Sequence, residues 1–201
     1  MTQVRVFLAA FLTFCLVTVT SQLALAEDKG FADGEMVLGD KNAPITVIEY
    51  ASMTCPHCAH FHEQTYAAFK TKYIDTGQAK FIFREFPLDR LALAASILAR
   101  CAGEQRFFPM LDVLFKQQSQ WARAKDPSVA LRSLGKLGGV SDAAFDACLA
   151  SKPLSNLIIN NRMNGEKEHK INSTPSFVIN GELHSGALTI EQLDKAIADA
   201  S

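Results

Sequence analysis

The chain has 201 residues, 48% of them hydrophobic and 20% charged, with a formal net charge of −1. Those values suit one or two globular domains with a real core. Nothing in the charge speaks for a nucleic-acid partner or a solvating acidic tail.

The N-terminus departs from this average. Arg5 is the only charged residue before Glu27, and an apolar stretch from Val6 to Val19 leads to Ala24-Leu25-Ala26. A positive start, an apolar run of roughly 7–15 residues and a small-x-small site make a secretory signal. Residues 1–26 are therefore expected to be cleaved after Ala26. The run falls short of the ~20 residues that a bilayer crossing needs, so no membrane insertion is expected after cleavage. Cys15 leaves with the signal, and Cys55, Cys58, Cys101 and Cys148 remain. An even count in an exported chain implies disulfides, because that compartment is oxidising.

Ile45-Thr46-Val47-Ile48-Glu49-Tyr50 reads as a buried central strand, β-branched and nearly continuously apolar. After the short loop Ala51 to Thr54 the pattern turns helical from Cys55, with Phe61, Thr65, Phe69 and Tyr73 on one side and Gly77 at the end. Phe81-Ile82-Phe83 is a second strand, closed by Pro87. Strand, helix and strand in that length form a βαβ unit, normally parallel and right-handed.

A helical stretch without strand signal follows, residues 88–168. Leu91, Ala95, Leu98 and Cys101 recur at helical spacing, and Phe107, Leu111, Leu114 and Phe115 form another face. Asp126-Pro127-Ser128 opens a helix through Leu131, Leu134 and Leu137 that Gly138-Gly139 stops, and Ser141 caps one bearing Phe145, Cys148 and Leu149. Leu154, Leu157 and Ile158 lie on a fifth. Strand signal returns at Ser176 to Ile179, then the turn Asn180-Gly181 and Glu182-Leu183-His184, a hairpin whose turn tolerates positive φ. Thr189 with Gln192 makes a capping box for a last helix through Leu193 and Ile197. The outline is α/β: β-α-β, an all-helical insert over 88–168, then β-β-α, with 36–87 and 169–201 forming one domain.

Cys55-Pro56-His57-Cys58 carries the chemistry. Two thiols three positions apart at a helix start can close a small disulfide ring or open to a dithiol, with no cofactor. The helix's unpaired N–H groups and dipole favour an anion, so the Cys55 thiolate is stabilised. Pro56 wastes no N–H in the first turn, and His57 can add a donor or a positive charge. Cys55 is thus predicted to be the exposed nucleophile and Cys58 the buried resolving thiol. A Cys55 pKa of ~4 would favour the reduced form by roughly 4 kcal/mol at pH 7 and raise the potential by about 90 mV. A stabilised dithiol makes its disulfide an oxidant.

Glu49, six residues before Cys55, would be a buried carboxylate able to relay the Cys58 proton; the alternative is a strand-edge side chain facing water. Thr174-Pro175 before the returning strand is a candidate cis peptide, or plain strand initiation. Cys55, Cys58 and His62 follow i, i+3, i+7 spacing and suggest a metal site, but no second C-x-x-C or spaced His pair completes four ligands. His60 and His62 are expected to be partly solvated, and no metal is expected. Cys101 and Cys148 lie on apolar helix faces, either as two buried thiols or as a bridge contributing roughly 4 kcal/mol by loop entropy.

These residues resemble the DsbA family of periplasmic thiol:disulfide oxidoreductases, thioredoxin-fold proteins with an inserted helical domain. The resemblance runs from Ile45 to the last helix, through Glu49, Cys55-Pro56-His57-Cys58 and Thr174-Pro175-Ser176-Phe177-Val178-Ile179-Asn180-Gly181. It implies that Pro175 is a cis-proline beside the active disulfide, where backbone pairs with extended substrate. It implies a periplasmic oxidase acting on reduced, unfolded exported proteins and reoxidised by a membrane, quinone-linked, DsbB-like partner. Thr174 departs from the valine of the best-known oxidases and matches isomerase and reductase relatives; a Cys101–Cys148 bridge matches only some branches. Only Glu27 to Glu35 precedes the first strand, too short for the dimerisation domain of the isomerases, so a monomer is expected. The rival readings are an isomerase or reductase kept reduced by an electron donor, and a Cys/His metal carrier.

Overall fold

In the computed structural model, residues 31–200 are described; the expected signal, Cys15 and the cleavage site lie outside them. A five-stranded sheet has the order β1-β3-β2-β4-β5. Its strands are β1 (Met36–Leu38), β2 (Ile45–Ala51), β3 (Ala79–Glu85), β4 (Ser176–Ile179) and β5 (Glu182–Ser185). β2 and β3 run parallel, and every other pairing is antiparallel. The crossover between the parallel pair is α1 (Pro56–Gln64), α2 (Tyr66–Phe69) and a π turn (Lys70–Ile74). The single long helix expected here is thus broken at Thr65, although its predicted inward residues Phe61, Thr65, Phe69 and Tyr73 are all buried.

Between β3 and β4 lie α3 (Arg90–Cys101), a 3-10 turn (Glu104–Arg106), α4 (Phe107–Lys116), α5 (Gln118–Trp121), α6 (Pro127–Leu137), α7 (Asp142–Ala150) and α8 (Lys152–His169). α9 (Ile190–Asp199) closes the chain. Several starts follow local chemistry: the side chains of Asp89, Asp126, Ser141 and Ser151 each accept an N–H of the first turn, and Thr189 and Gln192 complete the capping box. Asn180 and Gly181 both have positive φ, at 44° and 96°, as the tight turn between β4 and β5 requires. α6 reaches Leu137, as its sequence predicts. That residue ends the helix beside Gly138 and is 82% exposed.

Strand parity decides what the site inherits. Side chains alternate along β2, so Ile45, Val47, Glu49 and Ala51 share one face. Ile45, Val47 and Ala51 belong to the main core with Phe61, Phe81, Phe83, Phe115 and Phe177. Tyr50 and Ile48 face the other way, into a smaller cluster with Phe86, Ile171 and Val178. Glu49 is thereby carried into apolar surroundings.

Cys101 at the end of α3 is bonded to Cys148 on α7, across a sequence separation of 47. Tying a loop of that length removes unfolded-state entropy worth about 4 kcal/mol in the chain-entropy account. Among the described residues no helix is long and apolar enough to cross a membrane.

Candidate active site

Cys55 sits between the end of β2 and the first turn of α1, where its extended backbone (φ −80°, ψ 119°) serves as the helix N-cap and Pro56 occupies the first helical turn. The loop before it is held from two sides. Thr54 donates its hydroxyl to Asp89 Oδ2 at 2.7 Å, and Asp89 Oδ1 accepts the Ala92 N–H that starts α3. Gln118, buried on α5, donates its carboxamide N–H groups to the carbonyls of Met53 and Cys55, both at 2.9 Å.

Both thiols are free. Contrary to the exposed nucleophile expected, Cys55 is only 7% exposed. The reason lies 119 residues along the chain: the cis Thr174-Pro175 peptide packs over it, and the Cys55 thiol donates to the Thr174 carbonyl at 3.3 Å. Cys58 lies one helical turn further in and is fully buried.

The two sulfurs are driven apart in acidity. A hydrogen bond from Cys58 is the main cause that brings Cys55 down to about 5, aided by Thr174 and by the N–H groups of Cys58 and His57, while burial opposes it. Burial first, then the bond to Cys55, then the Glu49 charge hold Cys58 well above the ordinary thiol range. Thr174 Oγ1 is buried and without a partner beside the protonated thiol, available to donate once Cys55 ionises. His57 contributes through its backbone, and its side chain is exposed.

Glu49 is fully buried, which removes the water-facing alternative. It is flanked in register by Phe83 on β3 and Phe177 on β4. Its Oε2 lies 2.9 Å from His62 Nε2, and its Oε1 has no partner. His62 corrects the sequence reading: it is buried rather than partly solvated, turned inward by α1, whereas His60 two residues earlier is exposed. With His62 committed to Glu49, the Cys55, Cys58 and His62 trio does not converge, and no group of three metal-ligating side chains forms among the described residues.

Along the outer face of α1 opens a cleft of about 550 Å³, lined by Pro56, His60, Glu63, Asp89, Leu91 and Arg123 among others. Gln118 was not singled out in the sequence. Its one local signal is Trp121, one turn on, a large residue that marks the inward face of α5. We expect Gln118→Ala to cost about 1–3 kcal/mol, since the buried Met53 carbonyl loses that donor. Urea denaturation of the reduced protein checks this, and a loss below ~0.5 kcal/mol, the scale of an ordinary surface change, would show the clamp to be idle.

A family model described as Thioredoxin matches residues 32–199. A Rickettsia bellii protein, provisionally assigned by its name as a protein-disulfide oxidoreductase, is 38% identical over 172 residues, 84% of this chain and 66% of its own length. A Rickettsia typhi protein of the same description is 36% identical and covered over 61% of its length. The chain thus spans just under two thirds of these relatives. Among solved structures, Wolbachia pipientis α-DsbA1 is 31% identical, with a TM-score of 0.76 over 83% of this chain and 90% of that one. A Novosphingobium aromaticivorans protein-disulfide isomerase has a TM-score of 0.72 over 84% of this chain and 98% of that one; at 23% identity the likeness is of fold alone.

Proposed function

The chain belongs to the DsbA family of thioredoxin-fold proteins, and on that footing we propose that it is a thiol:disulfide oxidoreductase working as an oxidase. The observation that carries this reading is the split acidity of the Cys55/Cys58 pair at the start of α1, under the cis Thr174-Pro175 peptide.

The steps balance on these two sulfurs. In the disulfide form a substrate thiolate attacks Cys55 Sγ. The Cys55–Cys58 bond breaks, its electron pair leaves on Cys58 Sγ, and Cys58 takes up a proton. A second substrate thiolate then attacks the substrate sulfur of the mixed disulfide, closing the substrate's own disulfide and releasing Cys55 as the more stable thiolate. When Cys58 attacks instead, the mixed disulfide is resolved back to the starting disulfide. Glu49 is the proton carrier for Cys58, and Thr174 and Pro175 form the shelf on which extended substrate backbone pairs. Pro56 and His57 hold the first turn whose N–H groups face the sulfur.

Substrates in this reading are reduced, unfolded proteins of an oxidising, periplasmic compartment, reached through the signal read at residues 1–26. A membrane, quinone-linked partner regenerates the disulfide. No cofactor is required, because both electrons rest on the dithiol.

A sulfur pair that merely crosslinks the fold would not turn over, so the reading is tested by catalysed oxidation of a reduced, unfolded protein. Wild type is expected to accelerate it and Cys55→Ser to abolish the acceleration; an unaffected Cys55→Ser variant sinks the proposal. An isomerase or reductase role is favoured by one observation, the threonine before the cis-proline. It would place the potential near the about −270 mV of thioredoxin and give efficient unscrambling of mispaired substrate.

A further inference from the structure

The inner end of the site contains a pair that the exchange steps above do not use in full. Glu49 and His62 are both buried, joined through Oε2 and Nε2 at 2.9 Å. Each keeps one polar atom without a partner, Glu49 Oε1 and His62 Nδ1. The imidazole is held in an aromatic slot. It stacks on Phe115 at 4.1 Å between centroids and 15° between planes, lies tilted on Tyr66 at 4.8 Å, and meets the edges of Phe61 and Phe83.

A carboxyl buried among apolar side chains cannot change its protonation freely, because those side chains do not solvate the charge. A donor fixed on one oxygen changes this: it favours the carboxylate and leaves the other oxygen as the acceptor. The titratable and charged groups around His62 are few. β2 supplies Glu49, α1 supplies Cys58 one turn earlier, and α2 supplies Tyr66, whose phenol burial keeps protonated. Asp112 on α4 acts on Tyr66 from further off, and Phe83 on β3 brings no charge.

Resting on the redox reading of the site, we propose that His62 is a positioning residue for proton transfer: it locks Glu49 through Oε2 and so presents Oε1 alone to the Cys58 proton. In the resolving step the Cys58 thiol gives its proton to Glu49 Oε1. The Cys58 thiolate then attacks Cys55 Sγ of the mixed disulfide, the new Cys55–Cys58 bond forms, and the bound partner leaves as a thiolate. His62 touches neither sulfur in this scheme; it acts by occupying Oε2 and leaving Oε1 as the one free acceptor.

The test uses the full protein and oxidised glutathione, following release of glutathione from the Cys55 mixed disulfide across a pH series. In wild type, release is expected to be fast at neutral pH and to be slowed across the series by Glu49→Gln, which cannot accept the proton. His62→Phe keeps the stacking on Phe115 but has no donor for Oε2, so Oε1 is no longer held as the acceptor for the Cys58 proton and release slows. Release at pH 7 is expected to fall by up to about ten-fold, the scale of one lost hydrogen bond. His62→Gln, which retains a donor near the Nε2 position, is expected to recover most of the wild-type profile. In the Glu49→Gln background His62→Phe should change nothing further.

A His62→Phe profile superimposed on wild type overturns the proposal, as does an equal slowing in the Glu49→Gln background. A His62→Gln variant no better than His62→Phe overturns it too, because packing alone would then account for the effect. Thermal melting of each variant identifies loss of fold. Should wild type form no mixed disulfide at all, the redox reading itself falls, an outcome distinguishable from any change confined to the His62 variants.

Discussion

Titrated in the reduced protein, Cys55 is expected to ionise with a midpoint near pH 5, read from ultraviolet thiolate absorbance, while Cys58 stays protonated through pH 9. The sign of the consequence follows from the direction of the shift. Cys55 is an acid whose folded value of about 5 lies below its unpaired value of 9.0. The stability it gives the reduced form is complete above the unfolded value and is lost as pH falls through about 5. At pH 7 only the interval from about 5 to 7 counts, because an ordinary thiol is itself protonated there. That is at most roughly 3 kcal/mol, or about 60 mV added to the potential of the couple. This is smaller than the 90 mV that a pKa of ~4 would give, because burial of Cys55 under Thr174 and Pro175 opposes ionisation. Equilibration with glutathione between pH 5 and 9 measures it, and the reduced protein should lose stability relative to the disulfide form as pH is lowered. A Cys55 midpoint at pH 8 or above would remove the oxidase role.

The second large effect is on stability, away from the sulfurs. Arg100 on α3 and Glu85 at the end of β3 form an ion pair that is almost wholly buried. The guanidinium makes two bonds to Glu85 and two more to the carbonyls of Ala32 and Gly34, at 3.0 and 2.9 Å. Asn161 on α8 donates to the same carboxylate at 2.6 Å. One side chain therefore ties the sheet, the helical insert and the segment before β1. Arg100→Met leaves the Glu85 charge buried with a single donor and strips two carbonyls. We expect a loss of about 3–5 kcal/mol in denaturant unfolding. The double variant Arg100→Met with Glu85→Leu should regain part of it, since a buried pair replaced by apolar groups is often tolerated. A loss under ~1 kcal/mol for Arg100→Met would mean the pair is solvated or replaceable. The Cys55 titration should stay unchanged in both variants, which separates this clamp from the redox site.

What local chemistry governs was legible from the residues. The Cys-Pro-His-Cys helix start, the caps at Asp126, Ser141 and Thr189, and the Asn180-Gly181 turn each depend on φ, ψ and hydrogen bonds within four positions, so sequence alone specifies them. Glu49 was legible for a similar reason, since a strand's two-residue period carries it to the same face as Val47 and Ala51. Burial set across long separations was not. His60 and His62 differ by two positions, yet only His62 meets Phe115 and Glu49, and neither contact leaves a mark near residue 62. Cys55 is covered by Thr174, and Gln118 reaches the same loop from a helix 63 residues away. The sequence by itself determined which sulfurs could react and on what turn they stand. Only the tertiary structure decided how acidic each becomes and which polar side chains surround them, because those properties belong to neighbours that folding brings together.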